Sequence, residues 1–400
     1  MTDEILEQIA KSCGTPAYVF DVPALQERVR SAKEIVGPKV HLCFSIKANP
    51  FLIPAMLESE AEHLEVCSPG ELEICRQLNV PGDKIVYSGV NKTAADIADA
   101  VRDQAGIYTA ESLLHVELLQ AEAHKSGRTL PVLLRLNAGS QFGMSAEDLR
   151  SVISHRSEYP DLSFEGIHYF AGTQRKKIQK QEQELQMLKE FFTSVQEEYG
   201  FKLKRLEYGP GLPVPYFEGD DFSDTLAPLK ELAGALQEAA DWAQLTVEMG
   251  RFFTSECGYY LTRVMDQKQN KGTFYTILDG GMNHVTYLGQ IMGMKNPVIR
   301  HLKTAADDHR TGTQQDWALC GSLCTTADVL TRQTAFTDLV KGDILAFCNI
   351  GAYSVTEGIY LFLSRTMPVI VLYHGQQSGR ADFQVARAAM ETSRLNLIQQ

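Results

Sequence analysis

Eight short runs of β-type residues recur through the first two-thirds of the chain, each followed by a longer polar and apolar stretch. Eight such alternations within about 220 residues match a closed parallel (β/α)8 barrel, which typically takes about 250 residues. The alternative is an open doubly wound sheet, but the G-x-G-x-x-G sequence of its dinucleotide-binding form is missing after the first run. We therefore predict an α/β fold with a barrel whose strands are residues 40–46, 64–67, 84–88, 106–109, 131–137, 164–169, 203–208 and 245–249.

Two of the linking stretches have clear helical periodicity. In residues 174–199, apolar side chains recur at steps of three and four, at Leu185, Leu188, Phe192, Val195 and Tyr199. In residues 111–125, Leu114, Leu118 and Ala121 share one side of a helix. This spacing predicts a helix in each of the two stretches.

The pattern changes after residue 256, where strand-like runs follow one another without long helices between them. The runs at 258–264, 273–279, 343–350 and 368–373 predict a second, mainly β domain. The polar segment 300–316 is predicted to be an exposed loop. We expect domains of residues 22–256 for the barrel and of residues 1–21 with 257–400 for the β domain.

The charge balance excludes some classes of partner. With 38 Lys and Arg against 50 Asp and Glu, the net charge is −12. An acidic chain lacks the electrostatic footprint of a protein that binds nucleic acid or an anionic membrane. No apolar run approaches the length of a membrane span. We predict neither kind of binding.

The eight cysteines are spread along the chain without a C-x-x-C pair. This spacing predicts neither a metal site nor a disulfide scaffold, and it is typical of a reducing compartment. The N-terminal sequence is acidic and has no basic-then-apolar signal pattern. We expect a cytoplasmic protein.

Lys47 is the first candidate for chemistry. In the first strand the large apolar side chains alternate with polar ones, and this alternation places Lys47 inside the barrel mouth, at the carboxyl end of the strand. Barrel enzymes have their active sites at this end. A single lysine there is usually an idle surface group, but the ends of other strands also carry polar or glycine residues, namely Glu65, Arg135, His168, Gly209, Gly211 and Glu248.

These residues lie in motifs that resemble a known family. Residues 45–49 (Ser-Ile-Lys-Ala-Asn) are similar to the lysine motif of fold-type III pyridoxal-phosphate decarboxylases, the diaminopimelate and ornithine decarboxylase family with an alanine-racemase-like barrel. Further similar motifs follow in the family's order along nearly the whole chain, at residues 15–21, 65–72, 166–168, 248–251, 278–283, 320–328 and 351–353.

The resemblance implies pyridoxal 5'-phosphate as cofactor and a role for each strand-end residue. Lys47 would form the Schiff base with the cofactor aldehyde, and Glu248 would hold the proton on the pyridine nitrogen. His168 would stack on the ring. Arg135 would lie near the phenolic oxygen, although a salt bridge across the barrel is its simpler interpretation. Glu65 stands where well-known members have Asp.

The phosphate would be held by backbone N–H groups at Gly209 and Gly211, in a segment where the family has three consecutive glycines. Here the middle residue is Pro210, which has no N–H to donate. Thr173, Arg251 and Tyr353 resemble other phosphate contacts of the family and are expected to share this role.

Cys324 resembles the family cysteine that enters the partner subunit's active site and protonates the substrate carbanion. The resemblance therefore implies a homodimer with shared active sites. Catalytic roles are thus expected for Lys47, Cys324 and His168.

The substrate is expected to differ from that of the best-known members. After this cysteine, those enzymes have a carboxylate that matches a distal ammonium group, whereas this chain has Thr325. It also lacks the arginine that diaminopimelate enzymes carry soon after the motif ending at Asn283. We expect Thr325, Asp328 and Asn283 to contact the substrate.

The wider pattern resembles the branch of butirosin-type and citrate-siderophore-type decarboxylases. This branch acts on larger amino-acid conjugates in antibiotic and siderophore biosynthesis, some of them bound to a carrier protein. Three alternatives stay open: a diaminopimelate decarboxylase, an amino-acid racemase and a non-catalytic cofactor-binding protein. Racemases of this type continue the lysine motif as Ala-Asp-Ala-Tyr-Gly, which residues 48–51 do not match.

Overall fold

The computed structural model describes residues 1–306 and 310–398. The chain divides into two compact units. One comprises Gln26–Val214 and Asp224–Phe253, and the other comprises Met1–Leu25, Pro215–Ser223 and Thr254–Gln400.

The chain begins with helix α1 (Asp3–Cys13) and strand β1 (Ala17–Asp21), and the next eight strands close into a parallel barrel. Each barrel strand pairs with the next, and the last pairs with the first. The predicted barrel is confirmed. Its strands are β2 (His41–Ser45), β3 (His63–Val66), β4 (Ile85–Tyr87), β5 (Ile107–Ala110), β6 (Leu130–Arg135), β7 (Leu162–Phe170), β8 (Arg205–Gly209) and β9 (Gln244–Met249).

Helices alternate with these strands, and several begin at side-chain caps. Thr93 and Asp96 form a reciprocal capping box, and Ser68, Ser112 and Ser145 each accept a backbone N–H at a helix start. The helices are α2 (Val22–Val36), α3 (Ile53–Leu57), α4 (Pro69–Gln77), α5 (Ala94–Arg102), α6 (Leu113–Ser126), α7 (Ala146–Ser154), α8 (Ile178–Tyr199), α9 (Ala227–Trp242) and α10 (Arg251–Thr254).

The barrel interior is apolar on one side. Val86 on β4, Ile107 on β5 and Leu133 on β6 form a buried cluster with Cys43 on β2. Because β2 pairs only with β3 and β9, Cys43 can reach this cluster only through the interior. These side chains fill one half of the interior as barrels usually require.

The second unit is built around a nine-stranded sheet. Its main path runs in the order β14-β13-β11-β10-β1-β16-β17, and β12 and β15 pair with each other beside β10. Helix α1 packs on this sheet through Ile5, Leu6 and Ile9. The additional elements are β10 (Gly258–Asn270), β11 (Thr273–Leu278), β12 (Ile299–Leu302), β13 (Gln314–Cys320), β14 (Val329–Thr337), β15 (Ile344–Phe347), α11 (Ser354–Glu357), β16 (Val369–Gln377) and β17 (Arg380–Arg387).

The two stretches with helical period are confirmed as α8 and α6. In α6 the buried apolar residues are Val116, Leu119 and Ala123, and Leu114 is exposed. One local prediction is wrong in part. The predicted loop 300–316 contains the end of β12 and the start of β13, and its residues 307–309 lie outside the described residues.

Among the residues that the structure describes, no helix is long and apolar enough to cross a membrane.

Candidate active site

Lys47 lies between two carboxylates, one from each of the two strands that flank β2. It belongs to a one-turn 3-10 helix that directly follows β2. The Lys47 Nζ atom lies 2.6 Å from Glu65 Oε2 on β3 and 3.7 Å from Glu248 Oε1 on β9. The Cys67 thiol is 3.5 Å from the same amine. The Lys47 side chain keeps 39% of its surface exposed, whereas both carboxylates are buried. The amine is thus reachable while its partners are fixed.

The charges around Lys47 determine its protonation state. Burial alone lowers the pKa of Lys47, but the negative charges of Glu65 and Glu248 raise that pKa well above its usual value. Without a bound group, Lys47 is therefore an ammonium ion held by carboxylates.

Glu248 is held from both sides. The Ser45 hydroxyl donates a hydrogen bond of 2.9 Å to Oε1, and His168 Nε2 lies 2.9 Å from Oε2. Burial alone raises the pKa of Glu248, but Lys47 and the hydrogen bond from His168 bring it well below its usual value. Glu248 is therefore an anion that stays charged. The other ring nitrogen of His168, Nδ1, is buried and has no hydrogen-bond partner among the described residues.

Arg135 lies at the same end of the barrel, but its guanidinium is paired. It ends β6 next to His168 in the strand register. Its Nη1 donates to Glu111, which directly follows β5, and its guanidinium carbon lies 4.9 Å from the centre of the Phe142 ring. Arg135 therefore has a salt bridge, but it joins two neighbouring strand ends and does not cross the barrel.

The backbone of the loop after β8 lies close to the backbone of the loop after β7. Gly211 has φ +61°, and a Cβ atom there would lie only 1.8 Å from the carbonyl oxygen of Gly172. A Cβ at Gly209 would lie 2.5 Å from the Phe170 ring. The loop is fixed by Gln174, whose amide both donates to and accepts from the backbone of Val214. These glycines keep backbone open at the strand end, where an anion can be held.

The other two predicted phosphate contacts of this unit also follow strands at this end. Thr173 is exposed in the loop after β7, and Arg251 begins α10 directly after β9. Their positions at the carboxyl ends of strands agree with those of Lys47 and Glu248.

In the second unit, Cys324 and Thr325 are exposed on one loop, and buried Asp328 holds that loop in place. The Asp328 carboxylate accepts backbone N–H groups from Met282 at 2.7 Å and from Leu323 at 2.8 Å. One oxygen thus holds this loop, and the other ties it to the segment after β11.

Asn283 and Tyr353 are in unusual settings. Asn283 is fully buried, with Nδ2 3.0 Å from His284 Nε2. Burial, with the nearby Arg365 and Arg387, lowers the pKa of His284 to about 3, so this ring is neutral. Tyr353 has φ +67°, a left-handed conformation that costs a bulky residue about 1–3 kcal/mol and that clusters at functional sites.

The family model for the pyridoxal-binding domain of pyridoxal-dependent decarboxylases matches residues 22–255, more than half of the chain. The chain belongs to the pyridoxal-dependent decarboxylases. As a member of this family it is a carboxy-lyase that uses pyridoxal phosphate. The family resemblance of its motifs is confirmed.

Three curated relatives match this decarboxylase over nearly their whole length. The L-glutamyl-[BtrI acyl-carrier protein] decarboxylase of Niallia circulans is 28% identical, over 97% of this chain and 96% of the relative. A diaminopimelate decarboxylase of Zymomonas mobilis is 27% identical, over 93% and 91%. The 2-[(L-alanin-3-ylcarbamoyl)methyl]-2-hydroxybutanedioate decarboxylase of Staphylococcus aureus is 25% identical, over 92% and 96%.

A solved structure has the same fold. The crystal structure of AQ1208 from Aquifex aeolicus superposes with a TM-score of 0.84 at 25% identity, covering 98% of this chain and 93% of that one. The fold of the decarboxylase is therefore that of a known structure.

The residues of the barrel mouth fit the cofactor. An amine can join an aldehyde, and a buried anionic carboxylate can hold a proton on a ring nitrogen. The open glycine turn offers backbone N–H groups to a phosphate, although Pro210 offers none. The orphaned Nδ1 of His168 also suits a site completed by a bound group.

The sequence analysis missed three residues of this site. Ser45 donates to Glu248, Glu111 pairs with Arg135, and Glu207 lies buried on β8. The alternation along β8 was a usable signal for Glu207, because Leu206 and Tyr208 take the other face. No comparable signal marks Glu111, whose partner lies in the next strand.

Proposed function

We propose that this protein removes the α-carboxylate from the amino-acid end of a larger conjugate, such as a citryl-amino acid or an aminoacyl group on a carrier protein. Such substrates occur in siderophore and antibiotic assembly. The observation that carries the proposal is Thr325, an exposed neutral residue directly after Cys324. An ammonium group enclosed without a counter-charge is costly, so Thr325 disfavours substrates with a distal ammonium.

A second departure supports the same substrate class. The segment after Asn283 is His284-Val285-Thr286-Tyr287, and the neutral, buried His284 offers no charge to a substrate carboxylate. Two relatives are named as acting on conjugates, one of them on a carrier-bound glutamyl group.

Each group of the barrel mouth has a proposed task in this reaction. Pyridoxal phosphate, when bound, supplies an electron sink for the electron pair left on the substrate's α-carbon when CO2 departs. Lys47 Nζ would hold the cofactor covalently through its aldehyde. Glu248 keeps a proton on the ring nitrogen, and His168, already bonded to Glu248, supports the ring. Arg135 and Glu65 position these groups.

The remaining proposed tasks are binding and proton return. Gly209, Gly211, Thr173, Arg251 and Tyr353 hold the phosphate. The Cys324 thiol of a second subunit donates a proton to the α-carbon, and Thr325, Asp328 and Asn283 orient the distal part of the substrate. Asp328 would act mainly by fixing the loop, since both of its oxygens accept backbone N–H groups.

The deciding experiment is CO2 release from the purified protein with added cofactor. The panel contains diaminopimelate, lysine, ornithine and arginine beside citryl-serine, citryl-diaminopropionate and a glutamyl-carrier protein. We expect release from a conjugate alone. Release from diaminopimelate would instead make this protein a diaminopimelate decarboxylase, the second candidate, which the relative from Zymomonas mobilis favours.

A charge substitution sharpens the same test. Thr325→Glu should improve activity on diaminopimelate relative to the conjugate, because it restores a carboxylate for a distal ammonium. Thr326→Glu adds the same charge at the next exposed position and serves as the matched control. Equal effects of the two variants would remove Thr325 from the substrate site.

The proposal includes a homodimer with shared sites. Exposed apolar side chains on the second unit suit a subunit interface, among them Leu288, Ile291, Met292, Met294, Ile359, Leu361, Phe362 and Leu363. Mixing inactive Lys47→Ala with inactive Cys324→Ala should restore about a quarter of the sites if half-sites assort at random. No recovery despite subunit exchange would exclude the shared site.

A further inference from the structure

Glu207 is a third carboxyl group inside the barrel. It lies on β8 beside His168 of β7 and Thr246 of β9 in the strand register, and it is only 2% exposed. Its register partner His168 reaches Glu248 on β9 through the barrel interior. Paired residues of neighbouring strands point to the same side of a sheet, so Glu207 also faces inward.

The cations that could balance Glu207 are engaged elsewhere. Lys47 lies with Glu65 and Glu248, and His168 is bonded to Glu248. Both cations thus already have ion pairs with Glu65 or Glu248. The Oε1 atom of Glu207 is buried and has no hydrogen-bond partner among the described residues.

An ionised carboxylate in this setting would be expensive. A buried charge without a partner generally takes up a proton instead. Burial raises the pKa of Glu207, and the charges of Glu248 and Glu65 raise it further, while Cys43 and Lys47 act in the opposite direction. The net effect of these groups favours the neutral acid.

We propose that Glu207 is a positioning residue that stays a neutral carboxylic acid in the barrel interior and thereby confines the negative charge of the site to Glu248 and Glu65. A charged Glu207 would repel Glu248 and oppose the anionic state that holds a proton on the ring nitrogen. This inference rests on the proposed role of Glu248, but its main test does not.

The main test uses cofactor-free protein and the variant Glu207→Gln, which has nearly the shape of the neutral acid. On unfolding above about pH 4.5, the native acid loses its proton. The wild type should therefore lose stability relative to Glu207→Gln as the pH rises from about 5 towards 9. The measurement is the difference in melting temperature between the two proteins at each pH.

Glu184→Gln is the matched control. Glu184 is a carboxylate of the same unit that is paired with Arg175 and bonded to the Tyr208 hydroxyl. Removing this charge breaks an ion pair, so the control variant should be less stable than the wild type at neutral pH. If Glu207→Gln behaves like Glu184→Gln, Glu207 is an anion and the proposal is wrong.

Infrared spectroscopy gives a direct second readout. At pH 8 the wild type should show the C=O stretch of a protonated carboxyl group that disappears in Glu207→Gln. If that variant does not fold, Glu207→Asp should shift the band. A wild-type spectrum without a protonated carboxyl band would overturn the proposal.

The holoenzyme separates this proposal from the role of Glu248. Ionisation of Glu207 should change the cofactor's absorption at alkaline pH in the wild type, and Glu207→Gln should abolish that change. If Glu248→Gln leaves the cofactor's absorption as in the wild type, the role of Glu248 fails, while the stability and infrared results on Glu207 still stand.

Discussion

The two halves of the barrel interior are lined by opposite kinds of side chain, apolar in one half and acidic in the other. Beside β4, β5 and β6 the interior is filled by Val86, Ile107 and Leu133, the branched apolar residues that barrels normally pack inside. Beside β3, β8 and β9 it holds the carboxyl groups of Glu65, Glu207 and Glu248. Buried carboxyl groups cost stability unless they are paired or neutralised. The apolar half therefore stabilises the barrel, while the carboxyl half is kept for chemistry.

Lys47→Ala gives the largest effect that this comparison predicts. Removing the amine from the carboxyl half should abolish the yellow colour of the bound cofactor and reduce kcat by about 10⁴-fold or more. Absorbance after gel filtration with cofactor, together with CO2 release, measures both changes. A coloured Lys47→Ala protein would show that another amine binds the cofactor.

Glu248→Gln tests the charge of the same half without changing its shape. The variant keeps a hydrogen-bonding group for Ser45 but loses the anion, so kcat should fall by about 10²–10³-fold, the usual cost of removing a preorganised electrostatic contact. The fold should survive, as judged by circular dichroism. A loss of folding with unchanged kcat per folded molecule would contradict a catalytic role.

Leu133→Ala makes the reverse change in the apolar half. The truncation leaves a cavity among Val86, Ile107 and Cys43 and should lower the free energy of unfolding by about 2–4 kcal/mol. Urea unfolding of the cofactor-free protein measures this loss, and kcat of the folded enzyme should stay within a factor of about two, because Leu133 lies outside the proposed site. A large fall in kcat would show that the two halves are not separate in function.

Much of this contrast could be predicted from the sequence. The alternation along β2 placed His41, Cys43 and Ser45 on one side and Leu42 with Phe44 on the other, and the strand-end position of Lys47 followed from it. The eight strands were recognisable because buried parallel strands have compact apolar sequences.

Other strands and contacts could not be predicted, because the sequence carries no clear pattern for them. Strands β12, β13 and β14 were missed because polar residues such as Arg300, Asp316 and Gln333 interrupt their apolar pattern. The predicted barrel makes β5 and β6 neighbours, but the directions of the Arg135 and Glu111 side chains at the strand ends are not specified by a single sequence. The clustering of Glu65, Glu207 and Glu248 is visible only when the barrel closes.

Glu65→Gln is the mildest test of the carboxyl half. Burial lowers the pKa of Lys47, but the Glu65 carboxylate is first among the groups that raise it, so the amine is protonated at neutral pH. Only the neutral amine can attack the cofactor aldehyde. The rate of cofactor capture by the cofactor-free wild type should therefore rise with pH, by about tenfold per pH unit below the pKa of Lys47.

Removing the Glu65 charge lowers the pKa of Lys47 and moves this whole profile to lower pH. At pH 7 the variant should capture the cofactor about tenfold faster, as one pKa unit corresponds to about 1.4 kcal/mol. Stopped-flow absorbance measures the rate, and Glu62→Gln, which alters a carboxylate paired with Lys33 elsewhere in the unit, is the control. Identical profiles for both variants would mean that Glu65 does not control the charge of Lys47. A shift in Glu65→Gln alone would show that the carboxyl half tunes the nucleophile through charge.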